Sequence, residues 1–181
     1  MTPRMTPKSG NRFSEKIMRK QMMTRRLFAF LIAIAALMVP LTARARDIVQ
    51  FQGYEPGTIV VVTGARQLYY VLGRGQAIRY PVGVGRAGMA WHGRAYVAAK
   101  YLRPAWSANP GVTRTIPGGA PGNPMGAAAI GLDRGNYAIH GTNDPSSIGG
   151  FVSHGCIRMH NADVMDLYQR VPIGAKVAVV P

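Results

Sequence analysis

Apolar residues fall along this chain in short runs, and glycine and proline punctuate the gaps between them. "TIVVV" (Thr58–Val62) is an unbroken, β-branched run of the kind a buried strand requires. "QLYYVL" and "QAIRYPVGVG" flank Gly73-Arg74-Gly75, which predicts a hairpin with a three-residue loop and glycine where positive φ is needed. "GRAYVAAKYL" (Gly93–Leu102), "AAAIGLD", "NYAIHG" and "AKVAVV" (Ala175–Val180) predict further strands. One segment has clear helical spacing: Val164, Leu167, Tyr168 and Val171 follow at i, i+3, i+4 and i+7. Asn161 is the expected N-cap of that helix, and Pro172 with Gly174 is its stop. Between Pro104 and Gly126 the stretch "PAWSANPGVTRTIPGGAPGNPMG" has no period, and reads as a binding loop or a plain connection. Many short strands, Gly/Pro turns and one helix predict a mostly β domain, a sandwich or barrel with a short helix packed on it.

The first 45 residues do not fit that pattern. A basic run ending in Arg25-Arg26 precedes thirteen apolar residues, Leu27 to Val39, followed by Pro40 and the Ala43-Arg44-Ala45 cleavage pattern. Thirteen residues rise only about 20 Å as a helix, against roughly 30 Å of bilayer core. An export signal cut after Ala45 is therefore expected, with no permanent span in the processed chain. "TRRLF" also has the look of a twin-arginine signal. Residues 46–56 read as a linker or a first edge segment, and 57–181 as one domain. The net charge of +15 suggests nucleic acid until it is mapped. Nine of the 22 Lys and Arg lie in the first 45 residues with a single acid, so about half of the excess belongs to the leader. No nucleic-acid motif accompanies the rest, and hydrophobic residues at 48% are enough to build a core.

Chemistry concentrates in "IHGTNDPSSIGGFVSHGCIRMHNADVM" (139–165), which holds three of the four histidines and the sole cysteine, Cys156. An exported protein normally pairs its structural cysteines, and Cys156 has no partner in the chain. A buried hydrophobe and a nucleophile are both compatible with that. As a nucleophile the thiol needs a base, and histidine titrates in the useful range. The candidates are His154, two residues upstream and on the same face unless a glycine turn at 155 breaks that relation, and His140, at the end of the preceding β-like run. Gly155 has no Cβ, so a substrate carbonyl could approach the amides of Gly155 and Cys156 as an oxyanion hole.

His140, a gap, and then Ser153-His154-Gly155-Cys156 resemble the signature of the L,D-transpeptidases with a YkuD-like catalytic domain. The resemblance extends to "IVVVTGARQLYYVLGRG", "YPVGVGRAG", "PGNPMGAAAIGL" and "VPIGAKVAVV", nearly all of residues 57–181. It implies a β-rich, cofactor-free enzyme of the bacterial envelope or periplasm that acts on peptidoglycan and is a carbapenem target. Cys156 is then the nucleophile that attacks the bond between residues three and four of a donor tetrapeptide stem. D-Ala leaves, and a thioester passes to an acceptor amine, on another stem or on an outer-membrane lipoprotein. His140 is implied as general base, Gly155 and Cys156 as backbone oxyanion donors, and His154 and Ser153 as site-shaping residues. Arg158 and Gly141 are implied on the substrate side, with Arg158 as a carboxylate grip or a structural ion-pair partner. Two features depart from many relatives. Glycine stands at 141, so any group orienting His140 there is the Gly141 carbonyl, and "GRAGMAWHGRAYV" lacks a Thr-Pro pair.

Two other readings compete. His92, His140, His154, Cys156 and His160 could supply zinc ligands, although no metal-motif spacing is present. A wall-binding protein without catalysis is the other, though binding alone needs no thiol.

Overall fold

The computed structural model describes residues 47–107 and 115–181, so the expected export signal lies outside the described residues. The strands are β1 (Asp47–Gln50), β2 (Ile59–Val62), β3 (Gln67–Gly73), β4 (Gln76–Gly85), β5 (Gly93–Leu102), β6 (Trp106–Ser107), β7 (Thr115–Ile116), β8 (Ala128–Leu132), β9 (Ala138–His140), β10 (Phe151–Ser153), β11 (Ile157–Met159) and β12 (Lys176–Val180). The helix, α1, is Asn161–Arg170 and lies between β11 and β12. The expected mostly β, barrel-like domain with one short helix is what forms.

The pairings run β4-β11-β9-β8-β5-β12-β2-β3, and β3 pairs back onto β4, so the strands close a circuit. Closure hides the strand edges that an open sheet would leave unpaired. β4 makes this possible by its length. Residues 76–81 pair with β3, and residues 82–83 pair with β11 on the way round. One core gathers Ile59, Val61, Leu68, Tyr80, Val82, Val84, Val97, Ile130, Ile139, Ile157 and Met159 from the strands with Val164 and Leu167 of α1 and Val171 just beyond it. The continuous apolar runs predicted as buried strands are those that face this core.

Two local expectations change and one alternative is decided. Of linker and edge segment, Asp47–Gln50 is the edge strand, antiparallel to β4 in register Asp47↔Arg79 with an ion pair at that step. Phe51 anchors the following turn by stacking on Tyr69 at 4.3 Å. The hairpin loop is two residues, not three. Gly73 pairs with Gln76, and Arg74 (φ 53) and Gly75 (φ 74) form the turn, because a two-residue loop with both φ positive matches the strand twist. Asn161 opens α1 as expected, but it does not cap it. His160 occupies the N-cap and makes no side-chain cap bond, while its carbonyl accepts from the Asp163 and Val164 amides. The Asn161 amide is used elsewhere: its Oδ1 accepts from Ala127 N (3.0 Å) and Thr142 N (3.1 Å), and its Nδ2 donates to Thr142 O (3.0 Å). Competition from two unpaired loop amides outweighs a helix-end bond.

The helix is tied to the barrel interior by a polar link. Tyr80, fully buried on β4, donates its hydroxyl to Asp166 Oδ2 at 2.5 Å, and Arg170 one turn on grips both Asp166 oxygens at 2.9 and 3.0 Å. A hydrogen bond to a buried carboxylate contributes more than a neutral one. Tyr80→Phe is expected to lower the stability of the folded domain by about 2 kcal/mol. The check is a shift in the urea midpoint with an unchanged slope.

Candidate functional site

β9 and β11 lie side by side in parallel, in register Ile139↔Ile157 and His140↔Arg158. Side chains alternate between faces along a strand. Ile139, Ile157 and Met159 point into the core and are buried. His140 and Arg158 therefore share the opposite face, and Cys156, two residues before Arg158, falls on it as well. The topology thus joins three of the residues singled out from sequence. It also sets the thiol diagonally across from the imidazole, about 8 Å between Cα atoms for strands spaced by roughly 4.8 Å.

His140 is buried, 5% exposed, and its Nδ1 lies 2.6 Å from Gly141 O. A carbonyl only accepts, so Nδ1 carries the proton and Nε2 of the neutral ring is left as the basic nitrogen. Burial is the main cause that holds the His140 pKa down at about 4, with the Arg158 charge adding to it. Backbone bonds at Gly141 and Pro124 oppose the shift. Burial also pushes the Cys156 thiol above its ordinary value, against the Ala138 backbone and the Arg158 cation. Its Sγ faces Asn136 O at 3.9 Å. The resting pair is therefore a neutral thiol and a neutral imidazole. Among the described residues Arg158 Nε is buried with no hydrogen-bond partner, which leaves a donor beside both groups.

The turn before the thiol is fixed from three sides. Ser153 Oγ accepts from Gly155 N (3.0 Å) and donates to Cys156 O (2.6 Å). Gly155 has φ +122, and a Cβ there would strike the Tyr137 ring, so only glycine fits. Trp91 Nε1 donates to Gly155 O at 3.0 Å. The Gly155 amide, expected from sequence as an oxyanion donor, is thus already engaged by Ser153. His154 turns outward, where it is exposed and meets Arg86 Nη2 at 2.7 Å. The glycine turn breaks the i, i+2 relation that would have placed it with the thiol.

Gly141 supplies the carbonyl that orients His140, and a Cβ on it would collide with Asn161 Oδ1. The described parts of the Pro/Gly stretch, residues 104–107 and 115–126, hold regular pairing that its composition does not suggest. β6 and β7 form a small ribbon, and buried Asn123 gathers its base: Nδ2 donates to Pro104 O (2.8 Å), Pro117 O (3.0 Å) and Ile116 O (3.3 Å). The next residue, Pro124, brings its carbonyl to His140. A cleft of about 380 Å³ lies beside this base, lined by Arg103, Asn123, Thr142, Asn143 and Asn161 among others.

Sequence reasoning missed Trp91, Tyr137, Asn123 and the true use of Asn161. Isolated residues in loops carry no periodic signal, and only the Thr-Pro departure around Trp91 marked its loop as unusual. The remaining histidines stay apart from the thiol: His92 Nε2 meets Thr63 Oγ1 at 3.2 Å, and His160 sits at the helix start. Among the described residues no three His, Cys, Asp or Glu side chains converge as a metal-binding group.

The buried imidazole has a consequence for stability. Its pKa is lowered from 6.5 to about 4, so between these values the unfolded chain binds the proton that the folded one refuses. Stability is whole above about pH 6.5 and is lost as pH falls toward about 4, by up to about 3 kcal/mol. In His140→Gln this share of the acid-side loss is expected to vanish, as checked by urea unfolding at pH 7 and at about pH 4.5.

A family model of the L,D-transpeptidase catalytic domain, YkuD, matches residues 56–179. The chain is 36% identical over 138 residues to the probable L,D-transpeptidase YbiS of Escherichia coli, covering 67% of this chain and 43% of that protein. It is 37% identical over 137 residues to the probable L,D-transpeptidase ErfK/SrfK of Salmonella typhimurium, covering 68% and 44%. The chain spans under half the length of the curated relatives it matches. Among solved structures, an Enterococcus faecium L,D-transpeptidase superposes with a TM-score of 0.57 at 20% identity, covering 69% of this chain and 50% of that one. L,D-transpeptidase 3 of Mycobacterium tuberculosis, solved with a faropenem-derived adduct, gives 0.54 at 17% identity, covering 68% and 60%. These structural likenesses bear on the fold, and the sequence matches bear on kinship: the chain belongs to the YkuD family of L,D-transpeptidase catalytic domains.

Proposed function

We propose that this chain is a peptidoglycan L,D-transpeptidase, with Cys156 as nucleophile and His140 as its base. The observation that carries the reading is the β9–β11 register, which puts a thiol, an imidazole of fixed tautomer and a guanidinium on one face. Membership of the family supports the reaction class.

The donor is a tetrapeptide stem, and the scissile bond joins its third and fourth residues. As Sγ closes on the carbonyl carbon, its proton passes to Nε2 of His140. The imidazolium so formed is held by the carbonyls of Gly141 and Pro124, the groups that oppose the lowering of its pKa. The carbonyl oxygen becomes an oxyanion, and the Cys156 amide is its donor, since Gly155 N–H serves Ser153. Collapse of this intermediate breaks the C–N bond, and His140 returns the proton to the leaving nitrogen of D-Ala. An acceptor amine then attacks the thioester, yields its proton to His140 and restores the thiol. The acceptor is the side-chain amine of another stem or of an outer-membrane lipoprotein. Arg158, whose Nε has no partner among the described residues, is suited to hold a stem carboxylate near the scissile bond, and Gly141 belongs to the backbone that lines this side. Ser153 and His154 shape the turn, from inside and outside respectively. Residues 1–45 deliver the chain to the envelope, with cleavage after Ala45. No cofactor enters any step.

A neutral resting pair protects the thiol from adventitious chemistry and defers proton transfer until a carbonyl is in place. It also predicts the acid limb of the reaction. Since His140 must be neutral to accept the proton, the acylation rate should hold from pH 7 down through 5 and fall with a midpoint near 4, rather than near the 6.5 of an ordinary imidazole. Stopped-flow or quenched intact-mass kinetics with a carbapenem reads this directly.

Incubation with a disaccharide-tetrapeptide should release D-Ala, and a carbapenem should add its mass to the protein. Cys156→Ala is expected to abolish both. His140→Ala is expected to slow acylation by roughly 10²–10⁴-fold. A wild-type protein that gains no adduct and releases no D-Ala would end the transpeptidase reading.

A further inference from the structure

The bond from Trp91 to Gly155 bears on the one amide that the oxyanion needs. Gly155 C=O and Cys156 N–H belong to the same peptide unit. No described peptide bond is cis, so the carbonyl and the N–H point in opposite directions from a common plane. Trp91 Nε1 holds the carbonyl end at 3.0 Å. Fixing one end of a rigid plane aims the other.

Trp91 is itself held on both sides. Its indole stacks on Tyr137 at 5.3 Å with an interplanar angle of 6°, and the Arg134 guanidinium lies 5.0 Å from its ring centre. It is 9% exposed, so its N–H has little water to compete for it. Tyr137 in turn packs against the bare Cα face of Gly155. One aromatic pair therefore contacts the turn twice, once by a hydrogen bond and once by a ring face. A donor bound to a peptide oxygen also polarises that amide, which makes its N–H a better donor in a water-poor site.

We infer that Trp91 is a positioning residue for the oxyanion. It aims and strengthens the Cys156 N–H by holding the Gly155 carbonyl, without touching substrate. The inference rests on the transpeptidase reading, because it concerns the tetrahedral intermediate of that reaction. It predicts a division between two reactions of the same thiol. In acylation by a carbapenem, Sγ attacks the lactam carbonyl, an oxyanion forms, the ring C–N bond breaks and the ring nitrogen takes the proton by way of His140. In alkylation by iodoacetamide, Sγ displaces iodide at a saturated carbon, its proton is lost to solvent, and no oxyanion arises.

The experiment compares wild type with Trp91→Phe, which keeps the ring stack and deletes the N–H. 3-Benzothienylalanine at position 91 is the second variant, with nearly the indole shape and no donor. Acylation is followed by intact mass over a range of carbapenem concentrations, alkylation by the same readout, and folding by thermal melting. Loss of a direct oxyanion donor costs about 10²–10³-fold. For this indirect contact the acylation rate constant is expected to fall about tenfold, with half-saturation unchanged and alkylation within twofold of wild type. An unchanged acylation rate in both variants overturns the inference, and so does an equal fall in acylation and alkylation, which would place Trp91 in packing or in thiol ionisation. A wild type that alkylates but is never acylated by carbapenem or tetrapeptide overturns the transpeptidase reading and this inference with it. Failure of the variants to differ while wild type acylates defeats this inference alone.

Discussion

Two three-residue strands pairing in parallel, β9 beside β11, hold the candidate chemistry together. Adjacent antiparallel strands need only a tight turn, but parallel neighbours require the chain to travel back before it can pair, which takes a dozen or more residues. His140 ends one strand and Cys156 precedes the other, sixteen positions later. The gap between the imidazole and the thiol is thus set by the length of a return path. The intervening residues earn their composition from the same constraint. Gly149 at φ 88, a 3-10 turn at Pro145–Ser147 and the short strand β10 bring the chain round along β4.

Burial governs the electrostatics of that pair. In water a thiol and an imidazole sit within about two units of each other, and an ion pair between them is accessible. Here desolvation moves the two pKa values in opposite directions, each toward its uncharged form. Arg158 favours a thiolate and opposes an imidazolium, so its charge acts on the two partners in opposite senses, and the backbone carbonyls at His140 provide the counterweight. The result is a site in which both groups favour their uncharged forms.

Much of this was legible in the residues. Gly93–Leu102 forms its strand as read, and β2 and β12 begin one residue inside the runs that predicted them. α1 starts where the apolar stripe and Asn161 placed it, because long periodic segments carry their own signal. The fold class followed from that pattern. The single Cys and its histidines marked the region of the candidate site, and the family motif narrowed it to named residues. What the chain did not disclose are matters of competition and contact. Asn161 is a good helix cap in isolation, yet it serves two loop amides instead. Strands of three residues, such as β10 and β11, are too short to show a period. Trp91 is an unmarked aromatic in a loop, and its partner Gly155 is sixty-four positions away.

Asn123 couples the foot of the ribbon to the candidate site. Its side chain cross-links Pro104, Ile116 and Pro117, and the adjoining Pro124 carbonyl lies against His140. Loosening that one amide would free the base of the ribbon and withdraw a support of the imidazole at once, so two parts of the molecule share a single fastening.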